Sequence, residues 1–217
     1  MNRNERFVVT INRELGSGGR AVGQKLAERL GVPFYDKAVV KALQERFALD
    51  TDEIERLKAK KSNWWTDFQQ MLVPAFETCR VPSNYGLPGT VPDSMLTDEM
   101  YRTETQILEG IASEGSCVIA GRSAFHIFRH HPNHLNILVL ASVDYRAERL
   151  MARKGIGRAE ALDIIQTVDR GREQYVSKYT GTSRYDARNY QLVVSMDGHT
   201  EEQVLELILD YIGRSSK

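Results

Sequence analysis

The order apolar strand, glycine-rich loop, amphipathic helix at the start of this chain constrains its fold more than any other feature. Phe7-Val-Val-Thr-Ile11 runs into Asn12-Arg-Glu-Leu-Gly-Ser-Gly-Gly-Arg20, and a helical pattern follows from about Gly19 to Leu30. Val22, Leu26, Ala27 and Leu30 fall on one helical face, Gly31 is a natural stop, and Pro33 bars continuation. Successive backbone N–H groups in such a loop, backed by the positive end of a helix, form an anion site before any side chain contributes. Gly16-Ser17-Gly18-Gly19 is also more than a plain strand-to-helix turn needs. The loop departs from the phosphate-binding pattern G-x-x-x-x-G-K-[ST]. With Gly18 as the second glycine, Arg13 stands at the first glycine and Gly19 at the lysine. Shifted by one, Arg20 takes the lysine place and Ala21 the hydroxyl place, with Glu14 at the first glycine. Neither frame supplies the hydroxyl that normally ligates Mg²⁺. The pattern points to phosphoryl transfer with altered catalytic details.

Strand-like and helix-like stretches alternate along the rest of the 217 residues. Val32 to Asp36 reads as a short strand ending in an acid. Lys37 to Phe47 reads as a helix, and Asp50-Thr-Asp-Glu opens another with good N-terminal chemistry. Thr97 to Glu114 is helical. Cys117 to Ala120 is a buried strand followed by Gly121-Arg122-Ser123, and Leu135 to Ala141 is an apolar strand of the kind a parallel sheet covers on both faces. Helices follow at about Asp144–Arg153 and Arg158–Tyr179, then a strand at Tyr190–Val194 and a helix at Glu201–Ile212. This alternation predicts the α/β class: a three-layer, mostly parallel five-stranded sheet in one domain over 1–217. Its core spans about 5–60 and 100–214, with a helical insertion at about 61–98 and a lid-like region at about 153–181. The insertion holds Trp64, Trp65 and Phe68, then a loop-like Arg80–Asp93 with three prolines and two glycines. Those aromatics suit a core or a subunit contact, so a homodimer is one expected assembly. Ligands of such sheets sit at the C-terminal strand ends, where Asn12–Arg20, Asp36, Gly121-Arg122 and Ser142–Asp144 fall.

Lys plus Arg equals Asp plus Glu at 29 each, so the formal net charge is zero. A neutral balance gives no support to nucleic-acid binding or a basic membrane surface, and leaves room for a local basic cleft. The N-terminus has no apolar signal core, and no segment approaches the roughly 18 apolar residues of a membrane helix; a cytoplasmic location is expected. Cys79 and Cys117 have no metal-type spacing, and Cys117 reads as a reduced core residue. His130-His-Pro-Asn-His134 reads as a polar turn before a strand rather than a metal cluster.

Taken together, Thr10-Ile-Asn-Arg-Glu-Leu-Gly-Ser-Gly-Gly-Arg20, Gly31-Val-Pro-Phe-Tyr-Asp-Lys37, Val118-Ile-Ala-Gly-Arg-Ser123, Arg146-Ala-Glu-Arg149 and Asp169-Arg-Gly-Arg172 with Tyr175 and Lys178-Tyr-Thr-Gly181 resemble the cytidylate kinase-like group of the nucleoside monophosphate kinases, which are P-loop proteins. The likeness covers about residues 7–60 and 100–212. It implies the P-loop nucleoside-triphosphate-hydrolase fold and transfer of the ATP γ-phosphoryl to a nucleoside monophosphate, CMP or dCMP first, with ATP and Mg²⁺. By resemblance, Gly16, Ser17, Gly18, Gly19 and Arg20 wrap the ATP phosphates, with Arg13 or Arg20 in part replacing the lysine. Asp36 and Arg122 face the acceptor. Arg20, Arg122 and the pair Arg170 and Arg172 serve catalysis, the last two from the lid-like stretch that also carries Arg153 and Arg158. Cytidylate kinases carry an Asp after the Gly-Arg where this chain has Ser123. The Mg²⁺ ligands are not assigned, Asp144 and Asp169 being the candidates. Each of these residues also has a plain role to fill: Asp36 as a helix cap, Arg122 in an ion pair, the lid arginines on a solvated face. Two other functional readings stand beside the kinase: a non-catalytic nucleotide-binding module, motivated by the missing lysine and by Ala21, and a kinase of a non-nucleotide small molecule.

Overall fold

The computed structural model describes residues 1–36 and 98–214. Contacts divide the chain into two compact units, Met1–Lys37 with Gly115–Lys217, and Ala38–Glu114. In the first unit the elements are β1 (Val8–Arg13), α1 (Gly19–Leu30), β2 (Phe34–Tyr35), β3 (Cys117–Ala120), α3 (Ala124–Ile127), β4 (His134–Leu140), α4 (Val143–Lys154), α5 (Arg158–Thr180), a 3₁₀ turn (Ala187–Asn189), β5 (Leu192–Ser195) and α6 (Glu201–Arg214). In the second unit, α2 (Asp98–Glu114) is an amphipathic helix. The helices expected at 37–47 and from 50, and the insertion with Trp64, Trp65 and Phe68, lie outside the described residues.

The strands order β2-β3-β1-β4-β5, all parallel. The sheet expected to be mostly parallel is parallel throughout. Side chains on successive strand residues point to opposite faces, and the two central strands use this fully. Val9 and Ile11 of β1 and Leu135, Ile137 and Val139 of β4 pack with Val22, Leu26 and Ala27 of α1 and Val204, Leu205 and Ile208 of α6. Leu138 faces the other way, against Phe125, Val176 and Tyr190. Ala147 and Leu150 of α4 close on Ala161 and Ile165 of α5. Burial on both faces is why Leu135–Ala141 reads as an unbroken apolar run.

The polar residues on the Leu138 side are tied together. The Thr10 hydroxyl donates to Asn136 Oδ1 at 2.6 Å and lies 2.7 Å from His134 Nε2, and Asn136 Nδ2 donates to the Asn189 carbonyl at 2.5 Å. His134 therefore opens β4 in a hydrogen-bonded chain across the sheet.

β1 connects outward toward β2, while β3 connects across β1 toward β4. The reversal lies between the carboxyl ends of β1 and β3, the crevice where ligands of open α/β sheets bind.

Candidate functional site

The loop after β1 is anchored before it turns. Glu14 N donates to the Val139 carbonyl at 3.3 Å, and its carboxylate accepts from Ala141 N at 3.1 Å. Ser17 Oγ donates to the Glu14 carbonyl at 3.0 Å and accepts from Gly19 N at 3.3 Å. Gly16 and Gly18 have φ of 84° and 88°, a region costly for any residue with a Cβ. A Cβ on Gly16 would also lie 2.8 Å from the Arg146 carbonyl. Gly18 caps α1 without a side-chain hydrogen bond, and among the described residues nothing accepts from the N–H of Gly16 or Gly18. The loop thus offers backbone donors at the positive end of a helix.

Arginines converge on this loop. Asp169, on α5, is their hub. Its Oδ1 accepts from Leu15 N at 3.1 Å and lies 3.4 Å from Arg172 Nη1 and 3.6 Å from Arg184 Nη1. Its Oδ2 accepts from Arg146 Nη1 at 2.5 Å. Arg146 also lies 3.6 Å from Glu14 Oε1. Arg184, only 1% exposed, donates through Nη2 to the Asn12 side chain at 3.2 Å and to the Arg13 carbonyl. Its Nε and Nη1 are buried without a hydrogen-bond acceptor. Tyr190 braces it from behind: Asn12 Nδ2 donates to Tyr190 Oη at 2.6 Å, and Tyr190 Oη donates to the Arg184 carbonyl at 2.6 Å. Burial pushes that phenol up to about 12.

Arg13 leaves the end of β1 across the switch-point crevice. A Cβ placed on Gly121 would lie 2.0 Å from its Nη1, so the guanidinium rests on the Gly121 backbone. Desolvation first, then the charges of Arg172 and Arg184, bring its pKa down to about 9. Arg172 falls to about 10, through desolvation and then Arg184, with Asp169 opposing. Burial is the main cause of both shifts, neighbouring guanidiniums add to it, and Asp36 opposes it at Arg13 as Asp169 does at Arg172. Arg13, Arg122, Arg146, Arg172 and Arg184 gather where Glu14 and Asp169 supply the negative charge, while Arg20 and Asp36 pair beside them. The chemistry this arrangement fits is binding of a polyanion.

The end of β3 carries another signal. Gly121, Arg122 and Ser123 have φ of 81°, 61° and 53° in succession, and two non-glycine residues in that region cost about 1–2 kcal/mol each. Ser123 Oγ is buried with no partner among the described residues. Arg122 follows the carboxyl end of β3, and its charge is among those that lower the Arg13 pKa.

Of the residues expected from sequence, Arg13, Gly16, Ser17, Gly18, Gly19, Arg122 and Arg172 are gathered around this crevice. Arg20 is half exposed, and its Nε meets Asp36 Oδ2 at 2.5 Å, so these two are each other's counter-ions at the end of β2. Arg170 is exposed on α5 and lines a cavity of about 510 Å³ together with the hub residues Arg146 and Asp169 and with Ile165, Glu173 and Tyr185. Arg153 and Arg158 are exposed, Arg158 paired with Asp144. Sequence reasoning did not single out Arg146 or Arg184 as site residues. Arg146 follows the apolar β4 by a few residues, a usable signal; Arg184 stands in an aperiodic polar stretch and carried none.

The carboxylates present do not fit a protein-held Mg²⁺. Asp169 is taken by arginines and Leu15 N–H, Glu14 by Ala141 N and Arg146, and Asp36 by Arg20. Asp144 is exposed and ion-paired to Arg158. Ala21 offers no hydroxyl. Among the described residues no group of three His, Cys, Asp or Glu side chains could hold a metal.

The sequence profile of the cytidylate kinase-like family matches residues 8–198, nearly the whole chain and the whole of the site. The chain belongs to the cytidylate kinase-like family. In fold, this family member is similar to an uncharacterized protein of Eubacterium ventriosum, at a TM-score of 0.70 and 22% identity over 97% of this chain and 99% of that one. It is also similar to a gluconokinase of Sinorhizobium meliloti, at a TM-score of 0.53 and 17% identity over 97% and 94% of the two chains. A uronate isomerase of Corynebacterium glutamicum is 27% identical over 116 residues, 54% of this chain; the match spans only 22% of that longer protein. The fold is that of the P-loop kinases, and no helix among the described residues is long and apolar enough to cross a membrane.

Proposed function

We propose that this cytidylate kinase-like chain is an ATP-dependent phosphotransferase that moves the ATP γ-phosphoryl to a nucleoside monophosphate, with CMP or dCMP as acceptor. The observation that carries the reading is the convergence of Arg13, Arg172 and Arg184 on a phosphate-type loop at the switch-point crevice, where the backbone N–H groups of Gly16 and Gly18 have no acceptor among the described residues. An acceptor phosphate oxygen would attack the γ-phosphorus while the bond to the β,γ-bridging oxygen breaks and ADP leaves with the electron pair. Such a step needs positioning and charge neutralisation more than covalent help. The Gly16–Arg20 backbone would hold the donor phosphates. Arg122 would face the acceptor from the β3 end, with Asp36 beside it, orienting Arg20. Arg172 and Arg184, braced by Asp169 and Tyr190, would oppose charge on the moving phosphoryl without reorganising. P-loop kinases in general use Mg²⁺; here it would arrive on the nucleotide, since Glu14, Asp36, Asp144 and Asp169 are each engaged by a partner within the protein.

A second reading is a nucleotide-binding module without turnover. It is favoured by Ala21 and by the Asp169 carboxylate already seated on Leu15 N–H. The test is ADP release from Mg-ATP with CMP, dCMP, UMP, AMP and GMP offered separately. The kinase reading expects acceptor-dependent release with a pyrimidine monophosphate. Clear ATP binding by calorimetry with no acceptor-dependent release would favour the module. Release with a small non-nucleotide acid such as gluconate, and with no monophosphate, would move the acceptor class.

A further inference from the structure

A phosphate loop ordinarily places a lysine on the first turn of its helix, where the ammonium reaches the β- and γ-phosphates. This chain has Gly19 at that place and Arg13 at the place of the first glycine. The two departures are one exchange. A Cβ built on Gly19 would lie 2.7 Å from Arg13 Cβ and 3.0 Å from Val139 Cβ. The first distance is shorter than packed carbons tolerate, so no lysine fits at Gly19 while Arg13 stands opposite. The Arg13 side chain covers the start of α1 and carries its charge back over the Gly121 backbone, between the loop and the β3 end.

The other arginines near the loop are engaged. Arg146 is held by Asp169, Arg172 by Asp169 and the Arg13 carbonyl, Arg184 by Asn12 and the Arg13 carbonyl, and Arg20 by Asp36. Arg13 differs. Among the described residues its guanidinium donates to no carboxylate, carbonyl or hydroxyl, and the residue remains partly open to solvent. A half-buried guanidinium, charged at neutral pH, with five N–H donors and no protein acceptor among the described residues is ready for an external anion.

We infer that Arg13 is the polyphosphate-binding cation of this loop, supplying from the end of β1 the charge that a standard loop supplies from its helix. The inference rests on the phosphotransferase reading and adds to it which residue takes the donor's terminal phosphates, and why Gly19 must be glycine. Like-charge strain from Arg172 and Arg184 gives the bound anion a further role, since a polyphosphate would relieve it. A planar guanidinium binds two phosphate oxygens side by side, so Lys at 13 is only a partial substitute.

Calorimetric titration of Mg-ATP and of Mg-tripolyphosphate into the wild type, R13A, R13K, G19K and the double variant R13G/G19K tests this. Circular dichroism and a thermal melt accompany each variant. R13A is expected to bind both ligands about tenfold to a hundredfold more weakly, the loss typical of a charge-assisted contact. R13K should fall between R13A and the wild type. G19K alone should bind poorly, and the double variant should recover affinity above either G19K or R13A. In the double variant only the Val139 contacts, at 3.0 and 3.3 Å, must give. Folded R13A with wild-type affinity for tripolyphosphate would overturn the inference and leave the phosphotransferase reading standing. So would a folded double variant no better than R13A. A wild type that binds neither ligand would overturn both.

Discussion

The Asp169 carboxylate holds Leu15 N–H and touches Arg146, Arg172 and Arg184 at once. Arg146 and Arg184 are almost fully buried, and an uncompensated buried charge is strongly destabilising. Asp169→Asn keeps an oxygen for Leu15 N–H and removes only the charge. It is therefore expected to lower stability by about 3–5 kcal/mol in a urea titration, with circular dichroism as readout. An unchanged midpoint would mean that the arginines do not depend on Asp169. Helical spacing explains why one of the two neighbouring arginines of α5 joins this hub and the other does not. Asp169, Arg172 and Val176 are three and four residues apart and share a face, whereas Arg170 is a hundred degrees round the helix. The sequence pattern held that distinction; composition alone did not.

At the scale of elements, the strands and helices of the sheet unit were legible because each carries its own punctuation. Gly18 and Gly31 bracket α1 in left-handed conformations. Ser142 caps α4 by accepting from Tyr145 N at 3.2 Å, and Gly155 ends it. β4 is apolar enough to be read alone. The hub of the site was less legible because its members come from β1, α4, α5 and the turn after α5, and nothing local pairs them. Arg184 reaches Asn12 across 172 positions, a contact that no local pattern encodes. The opening of β4 carries a pH signature. His134 is brought down to about 4, by desolvation first and then by His131, with a backbone hydrogen bond opposing. Its folded pKa lies below the unfolded value of 6.5, so the unfolded chain binds more protons between these limits. The stability this group contributes is fully present above about pH 6.5 and is lost as pH falls toward 4, by up to about 3 kcal/mol. Urea midpoints should therefore drop between pH 7 and pH 5, and H134Q should flatten that slope. An equal slope in the variant would assign the acid loss to other groups.

For the chain as a whole the formal net charge is zero, yet among the described residues several arginines cluster at one place. Exposed charges are paired, as Glu202 and Glu206 are with Arg29, while Arg13, Arg146, Arg172 and Arg184 gather with Glu14 and Asp169 at the carboxyl end of β1. That end is the reversal point of the strand order, so fold and charge select the same crevice. Membership of the cytidylate kinase-like family agrees with this placement. Arg13 and Gly19 are where the chain departs from the usual loop, and on the inference above Arg13 supplies the cation that the loop lacks at Gly19. The most direct measurement of the central claim is transfer of label from [γ-³²P]ATP to CMP, with products separated by chromatography. The account predicts labelled CDP whose formation requires the acceptor and falls at least a hundredfold in R172A, the scale of losing one preorganised charge contact. Label that stays on ATP, or appears only as inorganic phosphate whatever monophosphate is offered, would contradict it.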